Sequence, residues 1–126
     1  MTKRFLLVLI IVSVIFSCKK ETDDKDLPYE GSWNLIYFSK SSDVETYMPG
    51  KIIWEFNKYD ELTVKIDTVI PSTSQLPIKV SGIYPYVGAA NVISIEGTQY
   101  AAEIINDTLQ LSHNATTGGP LLKLIK

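Results

Sequence analysis

The chain has 126 residues, a formal net charge of −2 at pH 7 and a single cysteine. One cysteine excludes a disulfide within the chain, so the fold must be stabilised by packing and backbone pairing. No arginine follows Arg4, and arginine is the residue that most often recognises phosphate and guanine, so the sequence predicts no nucleic-acid binding.

The N-terminus has the pattern of an export signal. Lys3 and Arg4 form a basic start, and residues 5–16 are almost entirely apolar. This run is shorter than the roughly 20 residues that cross a bilayer as a helix. A basic start, a short apolar run and a small residue before the cleavage point are typical of secretory signals, and Ser17 is that small residue. The pattern predicts a signal peptide over residues 1–17.

Cys18 stands where the apolar run ends and a charged run begins. Ile15-Phe16-Ser17-Cys18 resembles the lipobox of bacterial lipoproteins. The resemblance implies that Cys18 is acylated and anchors the protein to the bacterial outer membrane, facing the periplasm or the cell surface. The alternative is an ordinary signal peptide followed by an unmodified cysteine.

Residues 18–30 are rich in charge and poor in apolar side chains, which predicts a solvated tether. The stretch 18–24 also resembles the acidic export signal of surface lipoproteins of Bacteroidetes, and a plain spacer is the alternative. A single domain is expected over residues 31–126, a size that supports one hydrophobic core.

The pattern of this domain is apolar alternation with a period of two, which is typical of strands with one buried face. Turn residues such as Glu96-Gly97 and Asn106-Asp107 separate the segments, and no segment predicts a helix. Eight strands are predicted, near residues 33–37, 52–56, 62–66, 78–80, 93–95, 100–104, 109–111 and 122–124.

The connections between these strands favour an antiparallel up-and-down barrel. If the strands alternate in direction, the long connections 39–50, 69–76 and 112–119 lie at one end. The opposite end has tight turns, apart from a longer connection near residues 84–90. One end with long loops and one with short loops is the usual arrangement of a barrel that binds a ligand.

Gly31-Ser32-Trp33 at the start of the first strand resembles the Gly-x-Trp motif of lipocalins. The wider pattern is similar to small lipocalin-like domains of Bacteroidetes lipoproteins, through Ile53-Trp54-Glu55-Phe56-Asn57, Leu62-Thr63-Val64, Ser81-Gly82-Ile83-Tyr84 and Thr108-Leu109-Gln110-Leu111-Ser112. The resemblance implies an eight-stranded barrel in which Gly31 and Trp33 are structural and Trp33 seals the closed end. Lipocalins usually pack an arginine on this tryptophan, and Lys123 is the nearest substitute.

Inward aromatic residues either fill such a barrel or line a pocket. The pocket alternative would use Tyr37, Ile52 and Trp54 near the open end, with Met48 in the loop above it. It predicts a carrier of a small apolar ligand. The filled alternative predicts a non-catalytic interaction or structural domain in an envelope complex.

The sequence predicts no enzyme, cofactor or metal. His113 is the only histidine and lies in a polar loop, where an exposed role is expected. A zinc site would need several histidine or cysteine ligands. Glu55, Glu96 and Glu103 alternate with apolar residues and are expected to face solvent.

Two triplets, Asp67-Thr68-Val69 and Asp107-Thr108-Leu109, resemble O-glycosylation sites of secreted Bacteroidetes proteins. Thr68 and Thr108 are therefore candidate modification sites. The alternative is that aspartate and threonine initiate turns at these positions.

Overall fold

A computed structural model describes residues 27–126 of the chain. The predicted signal peptide 1–17, the lipidation site Cys18 and the first part of the tether lie outside these residues. Within them, no helix is long and apolar enough to cross a membrane.

Strands form nearly all of the regular structure. In chain order they are β1 (Gly31–Lys40), β2 (Asp43–Thr46), β3 (Ile52–Phe56), β4 (Glu61–Ile66), β5 (Gly82–Gly88), β6 (Val92–Ile95), β7 (Thr98–Ile105), β8 (Thr108–Ser112) and β9 (Leu121–Ile125). One turn of 3₁₀ helix, Ala115–Thr117, precedes β9.

The sheet closes on itself. All pairings are antiparallel, their order is β2-β1-β3-β4-β5-β6-β7-β8-β9, and β1 also pairs with β9. The result is an eight-stranded up-and-down barrel with β2 as an extra strand. The first half of β1 pairs with β3 and the second half with β2. The predicted all-β, eight-stranded antiparallel barrel is confirmed.

One predicted strand is misplaced. Residues 78–80 form no strand, and the fourth strand of the barrel is β5, in the region that was expected to be a long connection. Alternation around Lys79 suggested a strand, but Val80 is exposed and only Ile78 is buried. Because β5 extends to Gly88, the connection between β5 and β6 consists only of residues 89–91 and is shorter than predicted.

The closed end of the barrel consequently has only short turns, at residues 57–60, 89–91 and 106–107. In the last of these, Asn106 and Asp107 both have positive φ, as a tight type I′ hairpin requires. The other end, called the mouth here, carries the long connections. The longest is residues 67–81, called the lid loop.

A β-bulge in β1 changes which residues face inward. The register against β9 shifts between Leu35 and Tyr37, so Trp33, Leu35 and Phe38 are buried while Tyr37 turns outward. A bulge inserts one unpaired residue and so moves all later side chains to the other face. The prediction that Tyr37 continues the inward alternation is therefore wrong.

The core includes a residue from the predicted tether. Tyr29 is fully buried, and its hydroxyl donates a hydrogen bond to the Ala89 carbonyl at 2.9 Å. Its ring packs edge-to-face on Phe56 at 5.4 Å and on Tyr86 at 6.5 Å. Folded structure thus begins before Gly31, and Tyr29 occupies the closed end together with these rings.

Candidate binding site

The four residues predicted to line an interior pocket do not converge on one. Ile52 and Trp54 are buried in the core, and Met48 is exposed in the loop after β2. Tyr37 lies on the outer face, where the Lys123 ammonium sits 5.0 Å from its ring centroid.

Gly31 and Trp33 occupy positions that suit a structural role. Gly31 has φ of +115°, a conformation that residues with a side chain rarely adopt. Trp33 is buried, and its Nε1 donates to the Tyr29 carbonyl at 2.7 Å. The cation over its ring is Lys126, at 5.0 Å, rather than the Lys123 that the sequence suggested.

Side chains of the protein itself occupy the barrel interior. Two of them, Leu76 and Ile78, come from the lid loop and join the core from the mouth. The other buried hydrophobic residues come from the strands and from Tyr29: Trp33, Leu35, Phe38, Ile52, Trp54, Phe56, Leu62, Val64, Tyr86, Ile93, Ile95, Tyr100, Ala102, Leu109, Leu111, Leu122 and Leu124.

Hydrogen bonds to β2 hold the lid loop over the mouth. Ser74 Oγ donates to Glu45 Oε1 at 2.7 Å, and Gln75 Nε2 donates to Asp43 Oδ2 at 2.9 Å. Glu45 also accepts a hydrogen bond from the Tyr47 hydroxyl, and burial together with that carboxylate raises the pKa of Tyr47. The extra strand therefore has a clear structural role, because it anchors the loop that closes the barrel.

One buried polar atom in this interior has no partner. Trp54 Nε1 makes no hydrogen bond with any described residue, although the side chain is 1% exposed. Leaving a donor unpaired in an apolar core typically costs about 1–3 kcal/mol. Trp33, its neighbour across the strands, has no such deficit.

A depression of about 330 Å³ lies at the mouth beside the lid loop and is called the mouth depression here. Gln75 and Pro77 line it, while Leu76 and Ile78, which alternate with them, point into the core. The buried Ile95 also lines it, and exposed Glu96 lies at its rim. The remaining lining residues are Lys40, Thr98, Tyr100, His113 and Pro120.

His113 is fixed against Tyr100 and is not a free loop residue. Its Nδ1 lies 2.8 Å from the Gln99 carbonyl, and its ring meets that of Tyr100 edge-on at 6.4 Å. Because a carbonyl only accepts hydrogen bonds, Nδ1 carries the proton and Nε2 is left as an acceptor. Asn114 Nδ2 approaches that Nε2 at 3.4 Å. This arrangement contains no hydroxyl nucleophile hydrogen-bonded to the imidazole within residues 27–126.

Other chemistry-bearing residues are dispersed over the surface. Glu55, Glu96 and Glu103 are exposed, as expected. The described part of the chain contains no group of three or more histidine, cysteine, aspartate or glutamate residues that could hold a metal ion.

The two candidate glycosylation sites differ in accessibility. Thr68 and its neighbours Asp67 and Val69 are all exposed at the start of the lid loop. Thr108 is half-buried at the start of β8, and the following Leu109 is fully buried. An enzyme that must bind the whole triplet would reach only the one at Thr68 in the folded protein.

The outer surface carries an apolar stripe on β5, formed by Ile83, Pro85 and Val87 and called the β5 stripe here. Ile83 is 66% exposed and Val87 is 69% exposed. A groove of about 230 Å³, lined in part by Pro85, Val87 and Ser94, runs beside it. Strand β6 pairs only with Tyr86–Gly88, so the first half of β5 has no partner on that side among the described strands.

Comparison of the chain with protein-family models, with curated proteins and with solved structures gave no match.

Proposed function

We propose that the chain is a lipid-anchored lipoprotein of the bacterial outer membrane whose lipocalin-like barrel acts as a non-catalytic interaction domain. The lipobox-like sequence ending at Cys18 supports the anchor. The observation that carries the interaction role is the occupied interior. With Leu76 and Ile78 of the lid loop packed into the core, the outer surface is left for recognition.

The β5 stripe is the surface that supports this role best. Large exposed apolar residues grouped on one strand are typical of contact sites for other proteins. Pro85 has no backbone N–H, and it lies where β5 lacks a β6 partner. Proline on a strand edge disfavours the addition of another strand. The partner, another protein of the envelope, is therefore expected to pack side chain on side chain against Ile83 and Val87.

Site-specific photo-crosslinking in the native host tests this proposal. A crosslinker at position 83 or 87 should capture the same protein, whereas one at Lys65, an exposed position on β4, should not. An Ile83→Ser substitution should abolish capture from position 87 without lowering stability, since Ile83 is largely exposed. Equal capture from position 65, or a crosslink only to a second copy, would contradict the proposal.

A second candidate is a carrier for a small apolar ligand, and one observation favours it. Trp54 Nε1 is a buried donor without a partner, and a ligand acceptor that entered on displacement of the lid loop would satisfy it. The two candidates differ in a measurable property. A carrier should release a stoichiometric uncharged apolar molecule from its interior when it is denatured, and an interaction domain should not.

A further inference from the structure

The inner part of the mouth depression presents hydrogen-bond donors. Lys40 at the end of β1 and Thr98 and Tyr100 on β7 all line it. Lys40 contributes an ammonium group, and the other two contribute hydroxyl groups. Two separate segments of the chain, the end of β1 and the start of β7, therefore bring donors to one concave surface of about 330 Å³.

Tyr100 is the most informative of these residues. The residue is only 4% exposed, and its hydroxyl borders the mouth depression, where it is accessible to solvent rather than buried without a partner. Burial raises the pKa of Tyr100, so the hydroxyl remains protonated and able to donate at neutral pH. The His113 ring, held by the Gln99 carbonyl, restricts the tyrosine ring on one side. A donor that is fixed at a concave surface and open to solvent is available to hydrogen-bond a ligand there.

The charges and the apolar walls narrow the class of ligand. Among the lining residues within the described range, Lys40 is the one lysine, and Glu96 adds a negative charge. This balance suits one negative charge and disfavours a doubly charged phosphate. Pro77, Ile95 and Pro120 provide apolar surface for the rest of the molecule. The volume lies near the lower limit of small-molecule sites, which are about 300–1,000 Å³.

We propose that the mouth depression binds a small organic carboxylate with an apolar body, with its carboxylate held by the Lys40 ammonium and the Tyr100 hydroxyl. The site lies on the solvent side of Leu76 and Ile78, so its occupation leaves the packed core unchanged. The groove beside the β5 stripe shares Glu96 with the depression, whereas Lys40 and Tyr100 line the depression alone, so replacing these two residues should leave the β5 stripe intact.

Benzoate is a suitable probe, and calorimetric titration of the full chain in a neutral detergent is the measurement. Benzoate should bind, whereas benzamide, its uncharged counterpart, and inorganic phosphate should bind at least about tenfold more weakly, because a charge-assisted hydrogen bond contributes more than a neutral one. Amide NMR shifts upon benzoate addition should map to Thr98, Tyr100 and His113.

Substitutions with matched controls test whether the Lys40 ammonium and the Tyr100 hydroxyl hold the carboxylate. Lys40→Met should weaken benzoate binding about tenfold or more and Tyr100→Phe about fivefold, whereas Lys40→Arg should retain most of the affinity. The controls Lys65→Met and Tyr59→Phe change exposed residues outside the depression and should have no effect. Equal binding of benzamide or phosphate, shifts that map elsewhere, no saturable binding, or equal losses in the controls would overturn the proposal.

Discussion

The two buried tryptophans offer a test of how the core is arranged. They are neighbours, but the indole N–H of only one of them has a hydrogen-bond partner among the described residues. Trp33 and Trp54 are paired across β1 and β3, and they are 2% and 1% exposed. Trp33 Nε1 donates to the Tyr29 carbonyl at 2.7 Å, whereas Trp54 Nε1 has no partner within the described chain. Replacing each by phenylalanine removes similar volume but different polar interactions.

The expected difference follows from these contacts. Trp33→Phe leaves the Tyr29 carbonyl without its donor, which costs about 1–3 kcal/mol beyond the lost packing. Trp54→Phe removes an unpaired donor from the core, which returns about 1–3 kcal/mol and offsets part of the lost packing. Trp33→Phe should therefore lower the free energy of unfolding by about 2–6 kcal/mol more than Trp54→Phe.

Equilibrium unfolding in urea, followed by far-ultraviolet circular dichroism, measures this difference. At about 1–3 kcal/mol per molar of urea, the two midpoints should differ by at least roughly 0.7 M. The wild type is the common reference, and the remaining tryptophan of each variant reports the same transition by fluorescence. If Trp54→Phe proves as destabilising as Trp33→Phe, the assigned hydrogen bonding and the contact between Trp33 and Tyr29 are wrong.

Three further predictions concern the closed end and the anchor. Gly88→Ala should destabilise the fold by about 2 kcal/mol, because an added Cβ would lie 1.9 Å from the Tyr29 hydroxyl. The same urea assay measures this effect, and an unchanged unfolding midpoint would contradict the packing of Tyr29 against Gly88. Burial raises the pKa of Tyr29, and likewise that of Tyr86, from 10.0 to about 12. The folded pKa is above the unfolded one, so stability should be complete below about pH 10 and fall as the pH rises to about 12, as tyrosinate absorbance during alkaline unfolding would reveal. Cys18→Ser should abolish partitioning into the membrane fraction, and unchanged partitioning would place the anchor elsewhere.

The barrel could be predicted from the sequence because period-two alternation is a direct consequence of strands with one buried face. Tyr37 shows where that reasoning fails. A bulge near residue 36 changes the inward face within a single strand, and its cause is the pairing with β9, about 90 residues later in the chain. Alternation within β1 contains no sign of that pairing.

The lid loop was harder to predict for a related reason. Leu76 and Ile78 alternate as in a strand, but they pack into the mouth without joining a ladder. Alternation of apolar residues with a period of two identifies an extended segment with one apolar face. It does not reveal whether the backbone of that segment pairs with another strand. Tyr29 was missed because the charged residues before it suggested a tether, whereas one large side chain is enough to extend the core.

The mouth depression depends on segments that are distant in sequence. Alternation placed Tyr100 on the inner face correctly, but nothing in the sequence relates it to Lys40 or to the ring of His113. Their convergence follows from barrel closure between β1 and β9 and from the positions of the loops. A polar loop around the only histidine suggested exposure, and the contact with the Gln99 carbonyl becomes visible only once the strands are paired.

The interaction role requires a barrel interior that is filled by the protein's own side chains. Native mass spectrometry of the full chain purified from its own host, followed by denaturation and analysis of the released small molecules, tests this most directly. We expect the mass of the chain with its covalent modifications and no stoichiometric uncharged apolar molecule upon denaturation. Stoichiometric release of an uncharged apolar compound, as distinct from a small carboxylate bound at the mouth depression, would contradict the filled interior and would favour the carrier.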